Sequence, residues 1–296
     1  MIAKLGCIPC IIDDICGAIE SLSIIDETGK QIAKECLDFL SDNIALNKEP
    51  SFYITEVHRI LKRISGIEVP FAQRRNLCNK MGLELEGKLH QRIQDLSGFD
   101  RFATAARWCI AGNALDFRTV GTGYDFDIDE MEKSLYKLAN SLEVDQLSEI
   151  YKKVKSAKRI LFVHDNVGEI AIDKLLIKSM RELSDMRVIS AVRGGAITSD
   201  ATMDDAEETE LSKASTSIIL AGPDTLGVSF DEMSSEFQEE LYRADIIFAK
   251  GQANYYVFSE HKGEIESPVV CLLRTKCEFV SSAFGFSHNI NIATML

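Results

Sequence analysis

Residues 159–169 read RILFVHDNVGE. The first five form a short apolar run, which is typical of a buried strand. In residues 170–177 the apolar positions are spaced as in a helix that packs on a sheet. Asp165 and Asn166 therefore stand where the carboxyl end of a strand meets the start of a helix, and ligands of open α/β sheets bind at such ends.

The alternation of strand and helix continues towards the end of the sequence. Further β-rich runs occur at residues 187–192, 216–220, 245–249 and 269–273, and helical patterns separate most of them. Strands that alternate with helices in this way predict a mostly parallel, doubly wound, Rossmann-like sheet.

The first half of the sequence has a different pattern. Residues 1 to about 155 contain amphipathic helical segments and no strand-like alternation. Because no Gly/Ser-rich linker separates the halves, we predict a helical domain at residues 1–155 that packs directly on an α/β domain at residues 156–296. A cleft between the two is the expected ligand site.

The composition is that of a soluble globular protein, with 46% hydrophobic and 27% charged residues among 296. No apolar run reaches the roughly 18 residues of a transmembrane helix, and Asp13 and Asp14 interrupt any signal peptide. The net charge of −13 argues against a surface for nucleic acid or anionic membranes. Eight cysteines without a signal peptide predict reduced thiols and a cytoplasmic protein. No pattern predicts an oligomeric state.

Polar residues follow three of the predicted strands. Asp165 and Asn166 follow the first, RGGAITSDAT at residues 193–202 follows the second, and KGQANY at residues 250–255 follows the fourth. Since the strand ends of a parallel sheet lie side by side, these clusters are expected to converge. Asp165, Asn166 and Asp200 offer hard oxygen ligands of the kind that hold Mg²⁺ or Mn²⁺. Each of the three could instead cap a helix.

An acidic protein that handles a phosphorylated ligand needs local positive charge or free backbone N–H groups. A lysine at a strand end suits a phosphate oxygen, although the alternative is an ordinary surface lysine. Glycines allow a close approach of the backbone to an anion. The candidate substrate- and phosphate-binding residues are Lys250, Asn254, Arg193, Gly194, Gly251 and, reaching the cleft from the helical half, Asn113.

Cys7-Ile8-Pro9-Cys10 is a single CxxC motif. A structural zinc site would need two further ligands, and no second CxxC or His pair stands near it. Metal binding, redox chemistry and simple burial are all compatible with this pair.

With these motifs the sequence resembles the damage-control phosphatase family, also called the DUF89 or ARMT1-like family. The resemblance covers nearly the whole chain and rests on five motifs in order: CIPC, AGNALDF at 111–117, DNVGE at 165–169, RGGAITSDAT and KGQANY. The CxxC motif places the chain with the prokaryotic-type subfamily. The family implies a helical N-terminal region on a three-layer α/β/α domain, and a phosphatase that uses Mn²⁺, Ni²⁺, Co²⁺ or Mg²⁺.

Residue by residue, the family's metal ligands fall on Asp165, Asn166 and Asp200, and its substrate-contacting residues fall on Lys250 and Asn254. The substrates implied are phosphate esters of damaged or overflow metabolites, which include sugar phosphates, phosphopantetheine compounds and modified nucleotides. The resemblance thus predicts a small-molecule phosphate ester as the partner of this site.

The sequence departs from the family at one place. The eukaryotic sugar-phosphatase branch has an Arg-Thr-x-Lys motif, whereas residues 274–277 here read RTKC, with the lysine one position early. This difference argues against carrying over a preference for sugar phosphates.

The predicted reaction is metal-assisted hydrolysis of a phosphomonoester. The metal would polarise a phosphate oxygen, while Lys250 and backbone N–H groups offset the remaining charge. The nucleophile is either a water held by the metal or a carboxylate such as Asp165, and Asp200 or Glu169 would transfer the proton. These three carboxylates are the candidate catalytic residues.

Two other functions are compatible with the sequence. A methyltransferase acting on protein carboxyl groups would bind S-adenosylmethionine, but such sites usually have a glycine-rich loop after the first strand, and DNVGE has one glycine. A non-catalytic metabolite-binding or redox-responsive protein would use Cys7 and Cys10.

Overall fold

A computed structural model describes residues 1–117 and 128–296, and at 128–132 the backbone alone. Its strands are β1 (Val144–Asp145), β2 (Arg159–Val163), β3 (Arg187–Val192), β4 (Ser217–Leu220), β5 (Ile246–Lys250), β6 (Val269–Arg274) and β7 (Asn291–Met295). The α-helices of these described ranges are α1 (Cys7–Ser21), α2 (Glu27–Asp42), α3 (Pro50–Ser65), α4 (Ala72–Ile93), α5 (Gly98–Ala111), α6 (Ile128–Ala139), α7 (Leu147–Ser156), α8 (Glu169–Arg181), α9 (Met203–Glu208), α10 (Ser235–Arg243), α11 (Gly251–Glu260) and α12 (Glu278–Ser282).

One sheet joins the strands in the order β1-β7-β6-β5-β2-β3-β4. All pairs are parallel except β6 with β7. From β2 the chain continues through β3 and β4 on one side, and then returns to form β5 and β6 on the other. The junction of β2 and β5 is therefore the topological switch point, where the crevice of an open α/β sheet forms.

Each face of the sheet has its own core, because successive strand residues point to opposite faces. On one face Phe162 and Phe248 stack with ring centroids 5.6 Å apart, in a core that includes α5, α7 and α8. On the other face Val163 and Ala249 lie in a core with α10, α11 and α12. The three-layer α/β/α architecture predicted from the sequence is confirmed.

The N-terminal helices form a third core and are joined to the sheet domain. Ile11, Ile32 and Leu61 of α1–α3 are almost fully buried in it, together with Val167 of the β2–α8 turn. In α4, the Oδ1 atom of Asn79 accepts a 2.8 Å hydrogen bond from the N–H of Gly168. The helical region therefore holds the turn that carries Asp165 and Asn166.

The strand predictions are confirmed with small shifts of their ends, but the structure adds two strands. β1 lies within residues 1–155, where no strand was predicted, and that expectation is wrong. β1 has two residues, too few for an alternation to be visible, and β7 is the antiparallel member of the sheet. The division of domains at residue 155 stays a prediction. Across residues 1–117 and 128–296, every helix is too short or too polar to span a lipid bilayer.

Candidate active site

Asp165 and Gly251 meet at the switch point. Their strands end side by side, with Val163 paired to Ala249. Asp165 follows β2, whereas Gly251 begins α11, and its α-carbon lies against the Asp165 carboxylate. The connectivity of the sheet thus brings DNVGE and KGQANY together, as the sequence predicted.

A second convergence brings Asp200 to the same place. Two backbone hydrogen bonds of 2.8 Å join residues 165–167 to residues 199–201, in an antiparallel bridge between Asn166 and Asp200. None of the three predicted metal ligands caps a helix. The cap position of α8 is Gly168, and that of α9 is Thr202, in a capping box with Asp205.

The Asp165 carboxylate is buried among other oxygen-rich side chains. Its Oδ2 atom accepts hydrogen bonds from the Nδ2 atoms of Asn166 at 2.8 Å and Asn113 at 3.1 Å. The same two amides donate to Oε2 of Glu169, at 3.1 and 2.8 Å. Burial, and next the charge of Glu169, raise the pKa of Asp165 to about 8. Burial and the charge of Glu169 thus disfavour the carboxylate form of Asp165, and a bound cation would stabilise that form.

Lys250 is fully buried behind this group and is not a surface lysine. Its Nζ atom forms an ion pair with Glu169 and donates to Oδ1 of Asp173 at 2.8 Å. Burial opposes the charge of Lys250, but the carboxylates of Asp173 and Glu169 outweigh it and raise its pKa. Asp173 is also held by Nδ1 of His164 at 2.7 Å. Lys250 thus acts on the site through Glu169.

Asp200 is held from behind by three donors. The N–H of Gly227 at 2.8 Å and Nε of Arg193 at 3.3 Å donate to Oδ1, and the Thr198 hydroxyl donates to Oδ2 at 3.1 Å. Asn254 is also engaged, since its Oδ1 accepts from Arg193 at 3.1 Å. These contacts fix the orientation of the Asp200 carboxylate.

Two buried polar atoms of this network have no hydrogen-bond partner within residues 1–117 and 128–296. They are Oδ1 of Asn113 and Nη1 of Arg193. Buried polar atoms in proteins are almost always satisfied by protein, water or a bound ion. The Nδ2 atom of Asn113 donates to Asp165 and Glu169, so this amide lies next to the predicted metal-binding group.

A cavity of about 490 Å³ opens beside the switch point and contains residues of both halves of the chain. Asp165, Asn166 and Ser199 line it, as does Asp116, which forms an ion pair with Lys276. Cleft formation between the halves, predicted from the sequence, is therefore seen in the structure. The lining also includes Cys7, Cys10 and Cys277.

The predicted site residues divide into two groups. Asp165 and Asn166 line the cavity, and Gly251 and Asn113 contact Asp165. Five other predicted residues are buried behind the cavity wall: Lys250, Asn254, Arg193, Glu169 and Asp200. Gly194 belongs to neither group, because it is exposed. The N–H of Gly194 is donated to the carbonyl of Gly222 at 2.9 Å and is not turned towards an anion.

Sequence reasoning missed Lys276 and Asp173. Lys276 lines the cavity, and its charge lowers the pKa of Asp165 against the effect of burial. The RTKC motif at residues 274–277, with its lysine one position early, was the sequence feature that could have indicated Lys276. Asp173 follows Glu169 by four residues, so both carboxylates lie on the same side of α8 and can share Lys250. That spacing could have indicated a buried lysine.

The residues present fit a divalent cation with oxygen ligands. The described parts of the chain contain no cluster of three or more His, Cys, Asp or Glu side chains arranged to hold a metal ion. Asp165, Asn166 and Asp200, by contrast, form a mixed carboxylate and amide set on two bridged segments. Together with the Oδ1 atom of Asn113, which has no partner in the described part of the chain, this set has the hard oxygen chemistry that Mg²⁺ and Mn²⁺ require.

Comparisons with a family model and with known proteins all point to damage-control phosphatases. Residues 3–290 match the domain described as the damage-control phosphatase ARMT1-like domain. A damage-control phosphatase of Archaeoglobus fulgidus is 29% identical over 90% of this chain and 88% of its own length. A damage-control phosphatase of Pyrococcus horikoshii is 36% identical over 61% of this chain and 60% of its own length.

A solved structure shares the fold along the whole chain. The crystal structure of a DUF89 family protein from Pyrococcus horikoshii has a TM-score of 0.87 and 26% identity, and 99% of each chain is covered. The family resemblance drawn from five sequence motifs is therefore confirmed. This chain belongs to the damage-control phosphatase family, with the ARMT1-like domain extending over nearly all of it.

Proposed function

We propose that this protein hydrolyses phosphate monoesters of small metabolites with a divalent metal ion, Mn²⁺, Ni²⁺, Co²⁺ or Mg²⁺. One observation carries the proposal: Asp165 and Asn166 reach the cavity at the switch point, with Asp200 bridged beside them. The names of the relatives support a phosphatase. The substrate class is that of damaged or overflow metabolites, such as sugar phosphates, phosphopantetheine-type compounds or modified nucleotides.

Asp165, Asn166 and Asp200 would hold the metal, with Asn113 beside them. When bound, the ion would neutralise and polarise a phosphate oxygen. The protein contributes the fixed orientation of its ligands: Asn113 and Asn166 hold one oxygen of Asp165. Because these groups are in place before a substrate arrives, little reorganisation accompanies the reaction.

Two lysines offset negative charge in different ways. Lys276 lines the cavity and can exchange its ion pair with Asp116 for a phosphate oxygen. Lys250 is buried and cannot reach the substrate directly, but it neutralises Glu169 and thereby limits the repulsion at Asp165. We therefore assign phosphate binding to Lys276 and positioning to Lys250.

Asp165 is the carboxylate of the predicted catalytic set that lines the cavity. It is placed either to attack phosphorus itself or to accept the proton of an attacking water. Glu169 and Asp200 are completely buried and are not among the residues that line the cavity, so we assign the proton transfer to Asp165 and the positioning of the site to these two carboxylates. Loss of one charge-stabilising contact of this kind typically costs about 3–4 kcal/mol in the activation barrier.

The test is phosphate release from an aryl phosphate by Asp165→Ala and Asp200→Ala, with each of the four ions and with chelator. We expect both variants to lose hydrolysis while circular dichroism shows an intact fold. Asp185→Ala is the control, because Asp185 is exposed and precedes β3, at the amino end of that strand, whereas the site lies at the carboxyl ends of the strands. Full activity of either site variant, or release that persists in chelator, would remove the assignment. Ligand binding without turnover would favour a metabolite-binding protein.

We also propose a cytoplasmic location. The cysteines of the described residues are all free thiols, as expected in a reducing compartment.

A further inference from the structure

The lining of the cavity is divided by chemistry. Its polar groups are connected: Ser199 donates to Asn166 at 2.8 Å, and Asn166 donates to Asp165 at 2.8 Å. Much of the remaining wall is apolar, and its carbon-rich side chains come from α1, α3, α11, α12 and one loop: Ile11, Pro50, Ile54, Leu226, Tyr256 and Phe279. A phosphate at the polar patch would therefore have its alcohol part beside an apolar surface.

The thiols extend this apolar surface. Cys7, Cys10 and Cys277 are half-buried on the wall, and unreacted cysteines behave as small hydrophobic side chains. Burial, and next the neighbouring Cys7, raise the pKa of the Cys10 thiol, so that it is uncharged near neutral pH. The CxxC motif thus contributes an uncharged, polarisable part of the wall.

Gln252 and Lys4, two polar residues of the apolar wall, are engaged with the protein. The Gln252 amide donates to the hydroxyl of Tyr256 and accepts the N–H of Lys276 at 2.7 Å. The ammonium of Lys4 lies 4.2 Å from the centroid of the Phe279 ring. A sugar with several hydroxyls would lose hydration on entering and find few partners, which is costly.

We propose that the cavity selects phosphate monoesters whose alcohol part is a bulky apolar group, such as an aromatic ring system or a branched aliphatic chain. The volume of about 490 Å³ lies within the roughly 300–1,000 Å³ of sites that enclose sizeable organic ligands. Ile54, Leu226 and Phe279 determine this specificity. The inference rests on the proposed phosphatase function, and it names the substrate class of that site.

Hydrolysis gives the first test. We expect kcat/KM for 2-naphthylmethyl phosphate, an alkyl ester like glucose 6-phosphate, to exceed that for glucose 6-phosphate at least tenfold under the same metal. Ile54→Asn and Leu226→Asn should each lower the ratio of naphthylmethyl to ethyl phosphate kcat/KM about tenfold. The control is Leu37→Asn, since Leu37 is 50% exposed on α2 and lies outside the cavity. An equal or better kcat/KM for glucose 6-phosphate would overturn the proposal.

A second measurement does not depend on turnover or on a variant. Naphthylmethylphosphonate, which has a non-hydrolysable C–P bond, should slow the alkylation of Cys7, Cys10 and Cys277 in the unmodified protein. Cys16 is the internal control, because it is exposed on α1 and does not line the cavity. Mass spectrometry of peptides would give the rates.

The two measurements separate the two proposals. Protection of the three cavity thiols in a protein that releases no phosphate would uphold the ligand class and overturn the phosphatase. Protection by glucose 6-phosphate equal to that by the phosphonate would overturn the ligand class. So would unchanged alkylation of the cavity thiols at millimolar phosphonate.

Discussion

The carboxylate of Asp165 packs against the α-carbon of Gly251, and a β-carbon at residue 251 would overlap its oxygens. Gly251 also has a φ of +77°, in the left-handed region that favours glycine. The two residues follow the strands on either side of the switch point. The absence of a side chain at Gly251, after β5, thus leaves space for the carboxylate of Asp165, after β2.

Gly251→Ala should damage both the site and the fold. The left-handed backbone alone should lower the free energy of unfolding by about 1–2 kcal/mol. Displacement of Asp165 by about 1 Å should lower kcat about 100-fold. Aryl phosphate hydrolysis and urea unfolding would measure the two effects.

Gly87→Ala is the matched control for that substitution. Gly87 is exposed in α4, and nothing lies within 4 Å of an added β-carbon. Alanine there should raise the free energy of unfolding by up to about 1 kcal/mol and leave hydrolysis unchanged. If the two variants had the same kcat and the same free energy of unfolding, the contact between Gly251 and Asp165 would contribute to neither activity nor stability.

Lys250→Met should be among the most destabilising substitutions of a charged residue. It leaves the carboxylates of Glu169 and Asp173 buried without their cation. Removal of one partner from a buried ion pair typically costs about 3–5 kcal/mol. Urea unfolding would measure the loss, and Lys250→Met combined with Asp173→Asn should recover part of it.

Lys34→Met is the control for Lys250. Lys34 pairs with Asp38 on the exposed surface of α2, so its loss should not change stability measurably. If Lys250→Met were as stable as the parent protein, the buried ion pairs would not hold Glu169 in place.

The fold was largely predictable because its strands carry a strong local signal. Residues 159–163 and 187–192 are β2 and β3 without a shift, since after the first arginine of each the strand is buried on two faces and, except for Ser190, apolar. β1 and β7 carry no such signal. β1 pairs with β7, about 150 residues away in sequence, so its place depends on tertiary structure.

The site was predictable in position and less so in detail. Asp165, Asn166 and Asp200 could be brought together from strand ends, because parallel topology makes these ends adjacent. How deeply each of these side chains is buried could not be predicted from the sequence. Lys250 was expected to meet phosphate, but its position as the last residue of β5 turns it under Glu169.

Lys276 should bind the phosphate group in both the ground state and the transition state. Lys276→Ala should therefore raise KM for an aryl phosphate about tenfold with a smaller effect on kcat, and Lys276→Arg should retain part of the binding. Lys4→Ala is the comparison, since Lys4 is another lysine of the cavity wall but lies over Phe279. A larger rise of KM in Lys4→Ala than in Lys276→Ala would place the phosphate at the other lysine.

Mn²⁺ should stabilise the protein through the oxygen set at the switch point. A ligand that binds the folded state alone adds about 2.7 kcal/mol at 100 times its Kd, so the midpoint of thermal unfolding should rise by several degrees and fall again with chelator. Asp165→Asn and Asp200→Asn should abolish this rise, because each removes a carboxylate from the site. Asp185→Asn should keep this rise, since that exposed residue lies at the amino end of β3, away from the site. A rise of equal size in all three variants would mean that the ion binds elsewhere, whatever the phosphatase assay shows.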